Sequence, residues 1–227
     1  MGDAEGTRIA ALYRETRERV TGLVSGLDEA TARAPVPACP GWSVRDVLAH
    51  LAAVAEDSVA GRLTRPPTEE ETAAQVARFA DRDVAEILAA WADAAPKFEE
   101  IIGARAILPG LVDVVSHEHD IRAGLGRPGE RSSSAVRYAA ERLLRGMRTP
   151  VPLRVAVEDA EFLIAPGNGG PDEEPELSLT TTRYEALRWR MGRRSRAQLA
   201  AMDWSADPAP VLDHLAVFGP AASDVIE

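Results

Sequence analysis

The chain has 227 residues, 45% of them hydrophobic and 27% charged, so it can bury a core and lacks the composition of a disordered chain. Its 36 acidic and 26 basic side chains give a formal net charge of -10. That charge argues against a protein that coats nucleic acid, because such proteins neutralise phosphates with cations. The single cysteine, Cys39, excludes an intrachain disulfide framework, CxxC redox chemistry and a cysteine-rich zinc site.

The first two-thirds of the chain has the apolar periodicity of helices. One helix is predicted from Ile9 up to a proline cluster, and a second begins at Ser43 with the S-x-x-D pattern of a capping box. A weaker helical stretch over 69–80 precedes a third helix from Asp83, and a fourth is predicted over 109–125. The four stronger helices, with short connections, predict a bundle.

The last third changes character after a further predicted helix near 134–147. Alternating apolar residues predict a strand over 153–157, with a hairpin partner over 161–165 across a tight turn at Asp159 and Ala160. A loop over 167–174 and a third strand from Leu177 follow, and then two short capped helices. This part of the chain therefore has the pattern of a small α/β domain.

Two domains are expected from this change of pattern. The helical bundle would occupy 1–148 and the small α/β domain 149–227, which makes the fold class α+β.

The chain also lacks the usual marks of export and of membrane insertion. Its start has no basic segment followed by an apolar one, and charges interrupt its apolar runs well before the ~20 residues that span a bilayer. We therefore expect a cytoplasmic protein whose partners include neither a membrane nor nucleic acid.

Two of the four histidines lie where a helical bundle can support chemistry. His50 belongs to the buried stripe of the second predicted helix, where a histidine taken alone is more often an ordinary core residue than a ligand. In the fourth helix, Asp113, His117 and Asp120 are spaced i, i+4 and i+7, within about 60° of one another on one face. His119 lies roughly opposite, so we expect a surface or supporting role for it.

This arrangement of side chains is typical of a metal site inside a bundle, where ligands project from facing helices. Catalytic zinc often has two histidines and one carboxylate, with a fourth position open for water or substrate. The same spacing also suits an Asp–His hydrogen bond on a solvated helix edge. Spacing alone leaves both interpretations open.

Two motifs resemble those of the mycothiol-dependent maleylpyruvate isomerase family, part of the DinB-like superfamily of metal-binding four-helix bundles. The stretch PGWSVRDVLAHL over 40–51 is similar to the family's PGWS(V/R)xD(V/L)xxHL helix. The set Asp113, His117 and Asp120 is similar to its (E/D)xxxHxxD helix. The sequence GRRS over 192–195 also resembles the end of the family's second domain, so the resemblance extends over nearly the whole chain.

The resemblance implies a ligand set and an orienting residue. His50, Asp113 and His117 would bind a divalent metal, with zinc expected first, although this donor set also accepts other first-row ions. Asp120 would orient His117 from behind. The family's characterised isomerase has glutamate where this chain has Asp113, so the helix would lie closer to the metal, the ligand would bind differently, or the site would be weaker.

The resemblance also implies an activity that needs no protein thiol. Mycothiol would bind the metal as a thiolate and add to an electrophilic small molecule or unsaturated acid, giving either cis-trans isomerisation or S-transfer. Two alternatives stay open: a metal enzyme of the same superfamily that activates water, and a small-molecule binding or stress protein with a vestigial metal site.

Four further residues receive weaker interpretations. Arg193 and Arg194 could bind the anionic groups of substrate or cofactor, or could simply form a solvated basic helix end. Cys39 is interpreted as structural or incidental. His214 lies on a short apolar segment and is interpreted as a packing residue.

Overall fold

The computed structural model describes residues 2–63, 65–166, 175 and 177–227. Its internal contacts divide the chain into two compact units, one ending at Gly129 and the other spanning Glu130–Ile226.

The first unit is a helical bundle. Within the described residues, α1 spans Gly2–Val24, the short α2 spans Glu29–Ala32, α3 spans Val44–Val59 and α4 spans Glu69–Ala77. Two long helices follow, α5 over Val84–Arg105 and α6 over Leu108–Gly124. Helix α1 packs on α5 and α6, and α3 packs on α5, α6 and α4. The four long helices confirm the predicted bundle, and α4 confirms the weaker stretch before the third predicted helix.

The start of α3 is set by local hydrogen bonds. The Ser43 hydroxyl accepts from the backbone N–H of Asp46, and the Asp46 carboxylate accepts from the backbone N–H of Ser43 at 2.9 Å. This capping box satisfies donors that the first helical turn leaves without partners. It starts the helix at Val44 and so determines which turn of α3 carries His50.

A close approach of two backbones joins α1 to α5. A Cβ atom added at Gly6 would lie 1.9 Å from the carbonyl oxygen of Gly103. Only a residue without a side chain permits that separation, so the crossing depends on Gly6.

The second unit combines helices with a small sheet. It begins with α7 over Ser134–Arg145, and its strands lie in the order β2-β1-β3-β4. Strand β1 (Leu153–Val157) is antiparallel to β2 (Ala160–Ile164) and parallel to β3 (Leu177–Thr180). Helices α8 (Arg183–Arg190) and α9 (Arg196–Ala200) follow, and then β4 (Asp203–Trp204) and a 3-10 turn (Leu212–His214). The predicted fold class, a helical bundle followed by a small α/β part, is confirmed.

The second unit also shows where local pattern is insufficient. The hairpin register pairs Val157 with Ala160, so the turn lies at Glu158 and Asp159, one residue before the predicted position. Alternation places a strand but does not fix its register, which depends on the turn. The two-residue β4 has no sequence pattern that would predict it, and the predicted loop over 167–174 lies outside the described residues.

Helix α7 contacts α8 and β2. The contacts therefore group α7 with the sheet, whereas the sequence suggests a domain boundary near 149, after this helix. That boundary stays a prediction.

Among the described helices, none combines the length and the apolar character needed to cross a membrane.

Candidate metal centre

Two helices carry the side chains of the candidate centre. His50 lies on α3, and Asp113 and His117 lie one turn apart on α6, which contacts α3. Both histidines are buried, with 4% of His50 and 6% of His117 exposed. The Asp113 side chain is 30% exposed and lies on the more open side of the group.

The three side chains direct one polar atom each toward a common point. Oδ1 of Asp113 lies 3.6 Å from Nε2 of His50 and 3.6 Å from Nε2 of His117. The imidazole rings meet edge to face, with centroids 5.2 Å apart. All three candidate ligand atoms lie within 4.8 Å of one another. The structure therefore brings together the three residues that the sequence proposes as ligands.

These separations suit an ion better than direct hydrogen bonds. A hydrogen bond between nitrogen and oxygen is typically about 2.7–3.2 Å long, which is shorter than both contacts of Asp113. Tetrahedral ligands at about 2.0–2.2 Å from zinc lie about 3.3–3.6 Å apart, which agrees with the observed 3.6 Å. Two imidazoles and one carboxylate also form a common donor set of catalytic zinc. The residues present thus fit a divalent cation.

Asp120 lies beside the His117 ring nitrogen that faces away from Asp113. Its carboxylate is fully buried, and Oδ2 lies 2.9 Å from Nδ1 of His117, an ion-pair distance although the N–H direction is not that of a good hydrogen bond. A carboxylate at Nδ1 favours a hydrogen on that nitrogen and leaves the lone pair on Nε2. The position of Asp120 therefore agrees with the orienting role proposed for it.

Cys39 lies beside this pair. Its thiol donates to Oδ2 of Asp120 at 3.5 Å, and the candidate ligand atoms of Cys39, His117 and Asp120 lie within 4.8 Å of one another. Sequence reasoning treats Cys39 as structural or incidental, and the contact adds it to the surroundings of the candidate centre.

Sequence reasoning missed the support of the other histidine. Nδ1 of His50 lies 3.1 Å from Oε1 of Gln75, a residue of α4 that is 2% exposed. Gln75 in turn donates to Asp57 on α3. No motif links a glutamine at this position to a histidine on another helix, so only the packing of α4 on α3 reveals the contact.

Two histidines differ from their predicted surroundings. His119 is 3% exposed, so the surface role expected for it is wrong, and the alternative supporting role stays a prediction. The helical wheel misjudged it because α6 is buried over almost its whole circumference. His214 is exposed, and the packing role expected for it is wrong, since Leu212 and Leu215 provide the buried contacts of that segment.

The predicted anion-binding arginines have partners within the second unit. Arg194 is 8% exposed and donates to both carboxylate oxygens of Glu185, at 2.8 and 2.6 Å. Arg193 donates to the carbonyl oxygen of Met191 at 2.6 Å. A solvated helix end therefore does not describe Arg194, and the anion-binding role of both residues stays a prediction.

Tyr13 and Trp91 are buried in the bundle and hydrogen-bonded to each other. Burial raises the pKa of Tyr13, although its hydroxyl accepts a hydrogen bond from Trp91 at 2.9 Å. Tyr13 is therefore neutral near pH 7 and does not offer a phenolate to the centre. The ring of Trp42, in the loop before α3, lies 5.5 Å from the ring of His50 and covers it on that side.

The N-terminal part of the chain is similar to a known family. Residues 13–106 match the family model described as the mycothiol maleylpyruvate isomerase N-terminal domain. Among curated proteins, no significant match to the chain is found.

Two solved structures resemble the fold over most of the chain. One is a histidine-to-alanine mutant of the mycothiol-dependent maleylpyruvate isomerase, with a TM-score of 0.56 and 12% identity, over 82% of this chain and 88% of that one. The other is the mycothiol-dependent maleylpyruvate isomerase, with a TM-score of 0.52 and 14% identity over the same shares. At this identity the likeness establishes a common fold.

Proposed function

We propose that this chain, whose residues 13–106 match the N-terminal domain of the mycothiol maleylpyruvate isomerase family, is a divalent-metal-dependent enzyme of that family that uses mycothiol. Its substrate would be an electrophilic small molecule or an unsaturated acid, and the reaction a cis-trans isomerisation or an S-transfer. The observation that carries the proposal is the convergence of His50, Asp113 and His117 at the separations of metal ligands.

The donor set defines what the protein would contribute. His50 and His117 would each offer a neutral Nε2 and Asp113 a carboxylate oxygen, which suits zinc first and other first-row ions as well. A bound divalent cation would act as a Lewis acid that lowers the pKa of a thiol. The partly exposed Asp113 lies on the side from which a small thiol could approach.

The protein's own cysteine does not supply the nucleophile in this proposal. Cys39 is the single cysteine of the chain, and its thiol donates to the carboxylate of Asp120. A thiol bound from solution is therefore the source of sulfur that the proposal requires. Isomerisation and S-transfer use the same thiolate and differ in whether the cofactor is released.

The test is a calorimetric titration of metal-loaded protein with mycothiol. We expect saturable binding that disappears when a chelator removes the metal and that is absent in His50→Ala. The matched control is His214→Ala, which changes an exposed histidine of the second unit and should bind mycothiol as the wild type does. A panel of cis-enedioic acids and of electrophiles then separates isomerase from transferase.

Three outcomes would contradict the proposal. Metal-loaded protein that shows no binding at millimolar mycothiol would favour an enzyme that activates water. Protein that binds neither metal nor mycothiol would favour a binding or stress protein with a vestigial site. Binding of mycothiol that is unchanged by metal removal would contradict the role given to the cation.

A further inference from the structure

A buried series of hydrogen-bonded polar side chains ends at His50. Gln75 lies between His50 and Asp57, with Oε1 3.1 Å from Nδ1 of His50 and Nε2 donating to Oδ2 of Asp57 at 2.8 Å. All three side chains are buried, at 4%, 2% and 5% exposure for His50, Gln75 and Asp57. The two end residues, His50 and Asp57, lie on helix α3, and Gln75 between them lies on α4.

The charge of Asp57, at the far end of this series, orients the side-chain amide of Gln75. Asp57 also accepts hydrogen bonds from Arg62 at 2.9 and 2.7 Å and from Arg78 at 2.9 and 3.2 Å. With these cations Asp57 is a carboxylate, and a carboxylate can only accept hydrogen bonds. The NH₂ group of Gln75 must therefore face Asp57, because the reverse orientation would place two oxygens against each other.

The orientation of the amide in turn determines the tautomer of the imidazole. The carbonyl oxygen of Gln75, which faces His50, has no hydrogen to donate. The neutral ring therefore carries its hydrogen on Nδ1 and its lone pair on Nε2. Nε2 is the atom that lies 3.6 Å from Asp113.

We propose that Gln75 and Asp57 are positioning residues that hold His50 in the tautomer and ring orientation needed for metal binding. This inference rests on the proposed function for its purpose, but the tautomer can be measured without any metal. The inference gives Gln75, and therefore helix α4, an orienting role at His50. Asp120 is proposed to have the same role at His117. The two histidines would thus be oriented in different ways. The Asp120 carboxylate would contact His117 directly, whereas the Asp57 carboxylate would act on His50 through the amide of Gln75.

The experiment is nitrogen-15 NMR of histidine-labelled, metal-free protein at pH 8, where an ordinary imidazole is neutral. In the wild type we expect His50 with its hydrogen on Nδ1. Gln75→Met keeps the length of the side chain and removes the amide, so we expect a substantial population with the hydrogen on Nε2. Zinc affinity, measured by chelator competition, should fall about 10–100-fold in this variant.

Two further variants serve as a control and as a substitute for Gln75→Met. Gln198→Met removes a hydrogen-bonded glutamine of the second unit and should leave the His50 signals and zinc affinity unchanged. If Gln75→Met does not fold, Asp57→Asn serves instead, because a neutral amide no longer dictates which way Gln75 turns.

The outcomes separate this inference from the proposed function. A hydrogen on Nε2 of His50 in the wild type, or a tautomer unchanged in both Gln75→Met and Asp57→Asn, would overturn the inference. An unchanged zinc affinity in a variant whose tautomer has shifted would also overturn it. Wild-type protein that has the expected tautomer but binds no metal would contradict the proposed function and would remove the positioning role with it.

Discussion

Arg19 on α1 holds the fully buried carboxylate of Glu118 on α6 with two hydrogen bonds, at 3.0 and 2.7 Å. Glu118 is adjacent in sequence to His117, so this pair ties the helix that carries two candidate ligands to its neighbour. Arg122, one turn further along α6, donates to the same carboxylate.

We expect Arg19→Met to destabilise the bundle. Removing one partner of a buried ion pair commonly costs about 3–5 kcal/mol, and because Arg122 still pairs with Glu118 we expect about 2 kcal/mol. Urea unfolding followed by circular dichroism measures the change. The matched control is Arg33→Met, whose ion pair with Glu29 is exposed at both ends and should contribute less than about 0.5 kcal/mol. Equal effects of the two variants would contradict this assignment.

Metal content tests the ligand set directly. Protein purified without added metal should carry about one divalent ion per chain, as a three-ligand site does. His50→Ala and His117→Ala each remove a nitrogen donor and should lose the ion, whereas His119→Ala should retain it. Elemental analysis by mass spectrometry gives the stoichiometry. A full complement of metal in His117→Ala would show that the assignment is wrong.

Asp120→Asn tests the support of His117. The amide is nearly the same shape as the carboxylate but no longer favours a hydrogen on Nδ1, so we expect zinc affinity to fall about 10–100-fold. Competition with a chromophoric chelator measures it. Cys39→Ala is the control, because it removes the thiol 3.5 Å from Asp120 and leaves that carboxylate in place, and we expect its affinity within about threefold of the wild type. A larger loss in Cys39→Ala than in Asp120→Asn would reverse the roles given to these residues.

Gly6→Ala should weaken the contact of α1 with α5. The added Cβ would lie 1.9 Å from the carbonyl oxygen of Gly103, so one backbone must move, at a cost of about 1–3 kcal/mol or more. Gly22→Ala, in the same helix, meets nothing within 4 Å and should stabilise by up to about 1 kcal/mol, the helix propensity of alanine over glycine. Thermal unfolding distinguishes them by the opposite signs of the shift in Tm.

Lowering the pH should reduce the free energy of unfolding, partly through protonation of Asp57. Burial alone would raise the pKa of Asp57, but hydrogen bonds from Gln75 and two arginines outweigh it and hold the pKa below its usual range. A carboxyl group of this kind stabilises the native state above its unfolded pKa of about 3.9, and the contribution is lost as the pH falls through the folded pKa.

The wild type should therefore exceed Asp57→Asn in free energy of unfolding by a constant amount above about pH 5. The difference should shrink progressively below about pH 4. Urea unfolding at a series of pH values measures it, and a difference that stays the same down to pH 2 would be inconsistent with an ionised Asp57 in the native protein.

Local chemistry along the chain determined most of the helical architecture. The capping box at Ser43 and the apolar periodicity of the long helices depend on residues three or four apart, which any sequence displays directly. The i and i+4 positions of Asp113 and His117 follow from the geometry of a single helix in the same way. Their partner on another helix, His50, was proposed from its buried stripe and from the family motif.

Properties that depend on several elements at once were decided only by the tertiary structure. Gln75 reaches His50 because α4 packs on α3, and no spacing within either helix records that contact. His119 is buried because α6 has neighbours on more than one side, which a helical wheel for one helix does not show. The sequence by itself thus determined the helices and the ligand types, while packing decided which polar atoms surround each ligand, because those contacts join residues far apart in the chain.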